Sequence, residues 1–457
     1  MIRSILNRTN VGRVLLLAIS GPICLIGSAT AMEPASSNGG YRLPPKAIAD
    51  LIDAQVTPAV SVGPNGKKIL VMHRPALAPI SEVAQPELRL AGIRINPRTN
   101  ARARRSYYTS LDIKSISGDS QRRVSGLPSE ARIQNVRWSP DGRRIGFTLT
   151  KRNGVELWAA DVDTGKAKRL TGAVLNTVYG SAFHWVSDSR TLICRVIPSQ
   201  RGAAPKAPEV PVGPTISENL GGKAPARTYQ DLLTNAHDEA LFTHYLHARA
   251  ARVTVDGRIT EIGSAGIVTR AEPSPDGRFV FVETVHRPFS YLVPVSRFPK
   301  RAEIWDSKGN VVRLVADLPL AEKIPIGFGA VATGPRSFGW RSDVPATLHW
   351  TEAQDGGDPR QEATERDRVY VLDAPFRGDP VALVSVDLRF AGITWGHDKL
   401  ALVSAWWWKT RNARTWIVDP SAPGSEPTLL IDRSFEDRYN DPGRPMQHRT
   451  RRGTRVL

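Results

Sequence analysis

Apolar and polar positions along this chain alternate in short bursts, and long stretches of helical period are scarce. A brief apolar stretch, a tight polar turn and a β-rich strand recur six times. The first copy reads Val60-Ser-Val-Gly-Pro-Asn-Gly-Lys-Lys-Ile-Leu-Val71. It returns as Val136-Arg-Trp-Ser-Pro-Asp-Gly-Arg-Arg-Ile-Gly-Phe147 and as Phe183-His-Trp-Val-Ser-Asp-Ser-Arg-Thr-Leu-Ile-Cys194. Further copies start at Ala271 (Glu-Pro-Ser-Pro-Asp-Gly follows) and at Phe338, and a worn one runs from Ile393 to Val403.

The turn has a physical reason. In Ser139-Pro140-Asp141-Gly142 the proline's fixed φ suits the second position of a type I turn. The serine side chain can bond the turn backbone, and the glycine serves the exit. Strands on either side make a hairpin, and a second hairpin follows in several copies, as in Val155 to Thr171 around Asp163-Thr-Gly165. Two hairpins make a four-stranded sheet, one blade of a propeller. The copies lie about 50 to 90 residues apart, wider than the about 40 to 50 of a bare blade, so some blades carry insertions. The expected fold is therefore all-β: a β-propeller of about seven blades, with an array of β-sandwiches as the alternative. Short helices are expected at Pro44 to Ile52 and within Tyr229 to Phe242. The stretch Ala203 to Thr228, rich in Pro, Ala and Gly, reads as part of a loop inserted near 197–230.

The N-terminus changes the picture of where the chain works. Arg3, Arg8 and Arg13 precede an apolar run, Val14 to Gly27, that is short for a bilayer. Ala29-Thr30-Ala31 then supplies a small-x-small cleavage pattern. Residues 1–31 are expected to be a signal peptide cut before Met32, in preference to a retained anchor. Ile23 before Cys24 argues against a lipoprotein. The protein is expected to be exported, periplasmic or secreted, with no membrane span after cleavage. Cys194 is then the one remaining thiol and reads as a small buried hydrophobe.

The formal net charge is +18. The basic residues are scattered over many turns without the interleaved aromatics of a nucleic-acid platform, so nucleic acid is not an expected partner. His237, His244 and His247 lack an evident further ligand, and no metal or cofactor is expected. Trp406-Trp407-Trp408 alternates across a strand, which puts at least one ring outward. The candidate binding segment is Glu283 to Pro299, where His286, Arg287, Tyr291 and Arg297 stand among prolines. A rigid cationic and aromatic loop of this kind can hold a carboxylate through a bidentate guanidinium. No Gly-x-Ser-x-Gly nucleophile elbow occurs in the sequence, so no catalytic residue is assigned.

Tyr41-Arg-Leu-Pro-Pro-Lys46, His73-Arg-Pro-Ala-Leu77, Glu87-Leu-Arg-Leu-Ala-Gly-Ile-Arg-Ile-Asn96, Val136 to Gly142, His286-Arg-Pro-Phe-Ser-Tyr291 and Tyr439-Asn-Asp-Pro-Gly443 carry a resemblance. Through them the chain resembles the propeller of the prolyl-oligopeptidase clan of serine peptidases, closest to its glutamyl endopeptidase branch. The resemblance implies a propeller that covers the active site of an α/β-hydrolase domain, admits peptides and favours cleavage after glutamate. It places the propeller at 32–443 and makes 444–457 the linker to a hydrolase that this sequence lacks. The expected role is a non-catalytic, gating and substrate-selecting propeller of an exported serine endopeptidase, truncated before its catalytic domain. The alternative is a stand-alone envelope propeller that serves as a binding or scaffold module.

Overall fold

The computed structural model describes residues 43–118, 120–210, 213 and 229–457. The expected signal peptide lies outside the described residues. The chain divides into two units, 1–53 and 54–457. In the first, the described element is the Lys46–Ile52 helix, with Lys46 and Asp50 paired one turn apart at 2.7 Å.

The second unit is built from antiparallel meanders, and each sequence repeat supplies the first hairpin of one. Sheet 1 consists of Ala59–Val62, Lys68–His73, Ser110–Ser115 and Gln121–Arg123. Sheet 2 consists of Ile133–Trp138, Arg144–Lys151, Gly154–Asp161 and Ala167–Arg169. Sheet 3 holds Phe183–Trp185, Thr191–Val196, Ala248–Thr254 and the start of the long strand Ile259–Pro273. The rest of that strand opens sheet 4, beside Phe279–Val285, Lys300–Asp306 and Val311–Leu318. Sheet 5 is Arg336–Trp340, Thr347–Ala353, Asp367–Asp373 and Val381–Val386; sheet 6 is Arg389–His397, Leu400–Trp407, Asn412–Val418 and Thr428–Ser434. The described residues thus hold six four-stranded sheets, beside the seven expected from the repeat.

Both faces of most sheets are buried, which is why the strands read as apolar runs. Phe281 packs toward sheet 5, while its neighbours Val280 and Val282 pack toward sheet 3. Separate apolar clusters join sheets 1 and 2, 2 and 3, 3 and 4, 4 and 5, and 5 and 6. None joins sheet 6 to sheet 1 among the described residues, and Val60 and Val62 of sheet 1 are 58% and 55% exposed.

The repeat also stitches sheet to sheet. Trp138 Nε1 donates to Ser61 Oγ (3.1 Å), Trp185 Nε1 to Arg137 O (3.2 Å) and Trp340 Nε1 to Glu272 O (3.1 Å). In each case the tryptophan at the third repeat position reaches the second position of the preceding sheet. In the Ser-Pro-Asp-Gly turns, Ser139 Oγ donates to Asp141 Oδ1 at 2.6 Å, and Ser274 Oγ does the same to Asp276. Gly277 has φ +74°, and a Cβ there would lie 2.4 Å from Val186 Cγ1 of the preceding turn, so glycine is required twice over.

These turns touch one another, for example through Asp141 N–H to Ser189 Oγ (3.0 Å) and Asp276 N–H to Pro345 O (3.0 Å). They therefore share one face. In an up-and-down meander, the connections from second to third strand must then emerge on the opposite face. That is where the described residues of the long insertions 74–109, 197–247 and 286–299 lie. The segment 444–457, expected as a linker, contains a hairpin, His448–Arg449 with Arg455–Val456. It sits on the turn face, with Thr454 Oγ1 donating to Ser342 O (2.6 Å) and Leu457 N–H to Trp395 O (2.9 Å).

Candidate functional site

Three insertions from sheets 1, 3 and 4 assemble into one layer. Leu90, Ile93 and Ile95 come from the first, Phe242, Tyr245 and Leu246 from the second, and Val293, Val295 and Phe298 from the third. The short helix expected within Tyr229 to Phe242 forms at Ala236–Leu246, capped by Asn235 Oδ1, which accepts from Asp238 N–H at 2.9 Å. Its first turn carries Asp238 and Glu239, favourable at a helix N-terminus. Phe242 meets the Phe289 and Phe298 rings edge-on at 5.1 and 5.5 Å. Backbone bonds close the layer: Gly92 N–H to Asp231 O (2.8 Å) and Val295 N–H to Ala91 O (2.9 Å).

This layer contains the residues singled out from the sequence. Arg287 pairs with Glu239 and lies 4.6 Å over the Phe289 ring. The Tyr291 hydroxyl donates to the other oxygen of Glu239 at 2.9 Å, and that bond holds the phenol above its ordinary pKa. His286 meets the Arg287 carbonyl through Nδ1 (2.7 Å) and Asp317 Oδ1 through Nε2 (2.8 Å). The bond from His286 keeps the Asp317 carboxyl below the usual range. The loop thus gathers Arg287 and Tyr291 on a carboxylate, and the carboxylate is the chain's own Glu239. Arg297 is directed elsewhere: its guanidinium lies 5.5 Å from the Tyr229 ring centre, beside Ala321 O at 3.5 Å.

Arg297 also lines a cavity of about 400 Å³ between sheets 4 and 5. Its walls include Phe298, Leu320, Pro325 and Phe338, and its cations are Arg270, Arg297, Lys300, Lys323 and Arg336. On the turn face the first strands of sheets 1 to 5 line a cavity of about 460 Å³, shared with Arg449, Arg452 and Arg455 of the hairpin. Arg137, His184 and Glu272 face this space. Burial pushes His184 down to about 4, with Arg137 and Arg270 acting in the same direction. Glu272 is half-buried, and that desolvation opposes its ionisation. Arg270, donating at 2.5 and 2.9 Å, outweighs that and keeps it below its usual value.

A buried charge cluster beside the cavity carried no sequence signal. Arg389 donates to Asp367 Oδ1 (2.8 Å), Asp355 Oδ2 (2.7 Å) and Gly329 O (2.8 Å). Arg366 adds a bond to Asp355 (2.8 Å) and Arg336 one to Asp367 (2.5 Å). Burial raises Asp367, whereas at Asp355 the two arginines overcome burial and lower it. Asp355 lies in a stretch that reads as a polar loop and Arg389 begins a strand, so nothing local pairs them.

The remaining sequence candidates are placed as follows. Trp407 is buried between sheets 5 and 6, while Trp408 stacks on Phe328 at 4.0 Å and on Phe435 at 5.9 Å. Cys194 is buried, and burial pushes its thiol up to about 12. Burial, reinforced by Arg201, lowers both His244 and His247. Among the described residues no helix is long and apolar enough to cross a membrane.

Up-and-down four-stranded sheets packed face to face in chain order, with first strands converging on one cavity, define a β-propeller. No family model matches the chain. It is 43% identical over 434 residues to a protein of Oryza sativa subsp. japonica named "Probable glutamyl endopeptidase, chloroplastic", covering 92% of this chain and 46% of the relative. An Arabidopsis thaliana protein of the same name is 42% identical over 453 residues, 96% of this chain and 47% of its own length. This chain is a homologue of those glutamyl endopeptidases, and it spans about half their length. Among solved structures it is similar to a prolyl endopeptidase (12% identity, TM-score 0.45, 85% of this chain and 44% of that one). It is also similar to the β-propeller domain of the Trilobed protease from Pyrococcus furiosus (12% identity, TM-score 0.39, 82% and 84%).

Proposed function

We propose that this chain is the substrate-admitting propeller of an exported serine endopeptidase that cuts at acidic sites, and that an α/β-hydrolase domain docked on it supplies the catalysis. One observation carries the docking. The face that bears the long insertions exposes Leu77, Ile80, Val83, Leu292, Ile326 and Phe328. Apolar side chains gathered on one face of a scaffold mark a surface made for covering. A stand-alone scaffold would keep that face polar.

The layer on this face acts as the gate. Peptides pass beside it, and His286, Arg287 and Tyr291 meet their acidic side chains there, with Arg297 meeting them from the neighbouring cavity wall. A substrate carboxylate takes the Arg287–Tyr291 pair by displacing Glu239. The leader read at residues 1–31 makes the chain an exported one.

The test is a chimera in which this chain replaces the matching half of the rice relative. We expect the chimera to hydrolyse glutamate-containing peptides and the chain by itself to leave them intact. Cleavage by the pure chain, or a chimera that folds yet is inactive while the rice protein is active, would overturn the reading.

A further inference from the structure

We propose that the cavity between sheets 4 and 5 is a carboxylate subsite for an acidic peptide, with Lys300, Lys323 and Arg336 as its cationic contacts. The proposal rests on the peptide-admitting reading and goes beyond it. It assigns recognition to a pocket apart from the Arg287–Tyr291 pair, which the chain's own Glu239 fills.

Three independent observations converge on it. The first is size and shape: about 400 Å³ accommodates a side chain and its neighbours, and Phe298, Leu320 and Phe338 offer apolar contact to the methylene part of a glutamate. The second is charge. Five cations line the cavity against one acid, Glu283. Arg270 is matched by Glu272 and Arg336 by Asp367, but neither Lys300 nor Lys323 has a carboxylate within ion-pair distance among the described residues. Lys300 Nζ instead reaches Ser296 O at 3.3 Å. The third is an unmet donor. Arg336 Nη2 is engaged by Asp367, while Arg336 Nη1 is buried with no hydrogen-bond partner. A buried donor without a partner is costly, and a guanidinium that turns toward the cavity to meet a ligand oxygen relieves that cost. Arg336 begins the first strand of sheet 5 and Lys300 the third strand of sheet 4, so rigid elements hold both.

The carboxylate has two possible sources, an acidic side chain or a peptide C-terminus, and the experiment separates them. Fluorescence anisotropy on the purified chain would use three labelled peptides: an end-blocked one with a single Glu, its Gln counterpart, and the Gln peptide with a free C-terminal carboxylate. A charge-assisted bond predicts about tenfold tighter binding for whichever peptide supplies the carboxylate. That gain should disappear in the Lys300→Gln/Lys323→Gln double variant, whose exposed or half-exposed side chains leave the fold intact, as its melting curve would check. Inorganic phosphate should compete with the favoured peptide. If the three peptides bind alike, or if the double variant keeps the preference, the subsite is overturned and the peptide-admitting reading stands. If no peptide binds at all, that reading falls and the subsite with it.

Discussion

At the scale of single residues, the second and third positions of the repeat do different work from the turn they precede. At the third position Trp138, Trp185 and Trp340 spend the indole N–H on the neighbouring sheet, whereas that of Trp395 is buried without a partner. The second position faces the turn-face cavity, where desolvation acts on both His184 and Glu272. His349 shares the low-dielectric surroundings. Burial, with Arg270 and Arg341 adding to it, pushes that histidine down to about 4, and Gly339 leaves the room its ring needs, since a Cβ there would lie 2.6 Å from Nε2. Both histidines are thus neutral in the fold and protonate readily only when unfolded. A depressed folded pKa means that stability is present above the ordinary value of 6.5 and is lost as pH falls toward about 4. We expect the unfolding free energy from urea titration to drop across that window by an amount on the order of a few kcal/mol, and the His184→Gln/His349→Gln variant to flatten the drop. An unaltered pH profile in the variant would assign the acid sensitivity elsewhere.

At the scale of elements, the insertions are held by contacts of unequal value. The Arg287–Glu239 pair has a guanidinium 62% exposed and adds little to stability. The cluster around Arg389 is different: Asp355 and Asp367 have no exposed side-chain surface, and Arg389 is their common partner. It ties the 354–366 connection and the start of sheet 6 to sheet 5. Replacing Arg389 by Met leaves two buried carboxylates short of a partner and is expected to cost about 3 to 5 kcal/mol in urea unfolding. Arg389→Lys should recover little, because one ammonium cannot reproduce the fork that reaches both carboxylates. A loss under about 1 kcal/mol for Arg389→Met would mean that water or Arg336 and Arg366 take over.

At the scale of the whole molecule, the net charge of +18 and the cationic cavity act together on an acidic peptide. Long-range attraction raises association rates and is screened by salt. The on-rate of a glutamate-rich peptide should therefore fall steeply from about 0.02 to about 0.5 M salt, with a smaller change in off-rate. Stopped-flow mixing measures both. An on-rate indifferent to salt would show that the charge only keeps the surface solvated.

The sequence by itself determined the strands, their order and the turns that join them. Ser-Pro-Asp-Gly and its variants bend the chain whatever surrounds them, and a strand with apolar residues on both faces must be covered on both. The positive φ of the glycines in those turns and the burial of Cys194 were legible too, because they follow from the local pattern, whereas the close approach of Val186 to Gly277 was not. Only the tertiary structure decided what meets across sheets. Glu239 reaches Arg287, Asp355 reaches Arg389, and Lys300 faces Lys323 and Arg336 around one cavity. Those partners are brought together by the stacking of separate sheets, and local pattern carries no record of it. The Pro-rich loop holding His286, Arg287 and Tyr291 was visible as chemistry. That its carboxylate is an internal one, and that Arg297 turns away to a different wall, follows from how three insertions pack on one face.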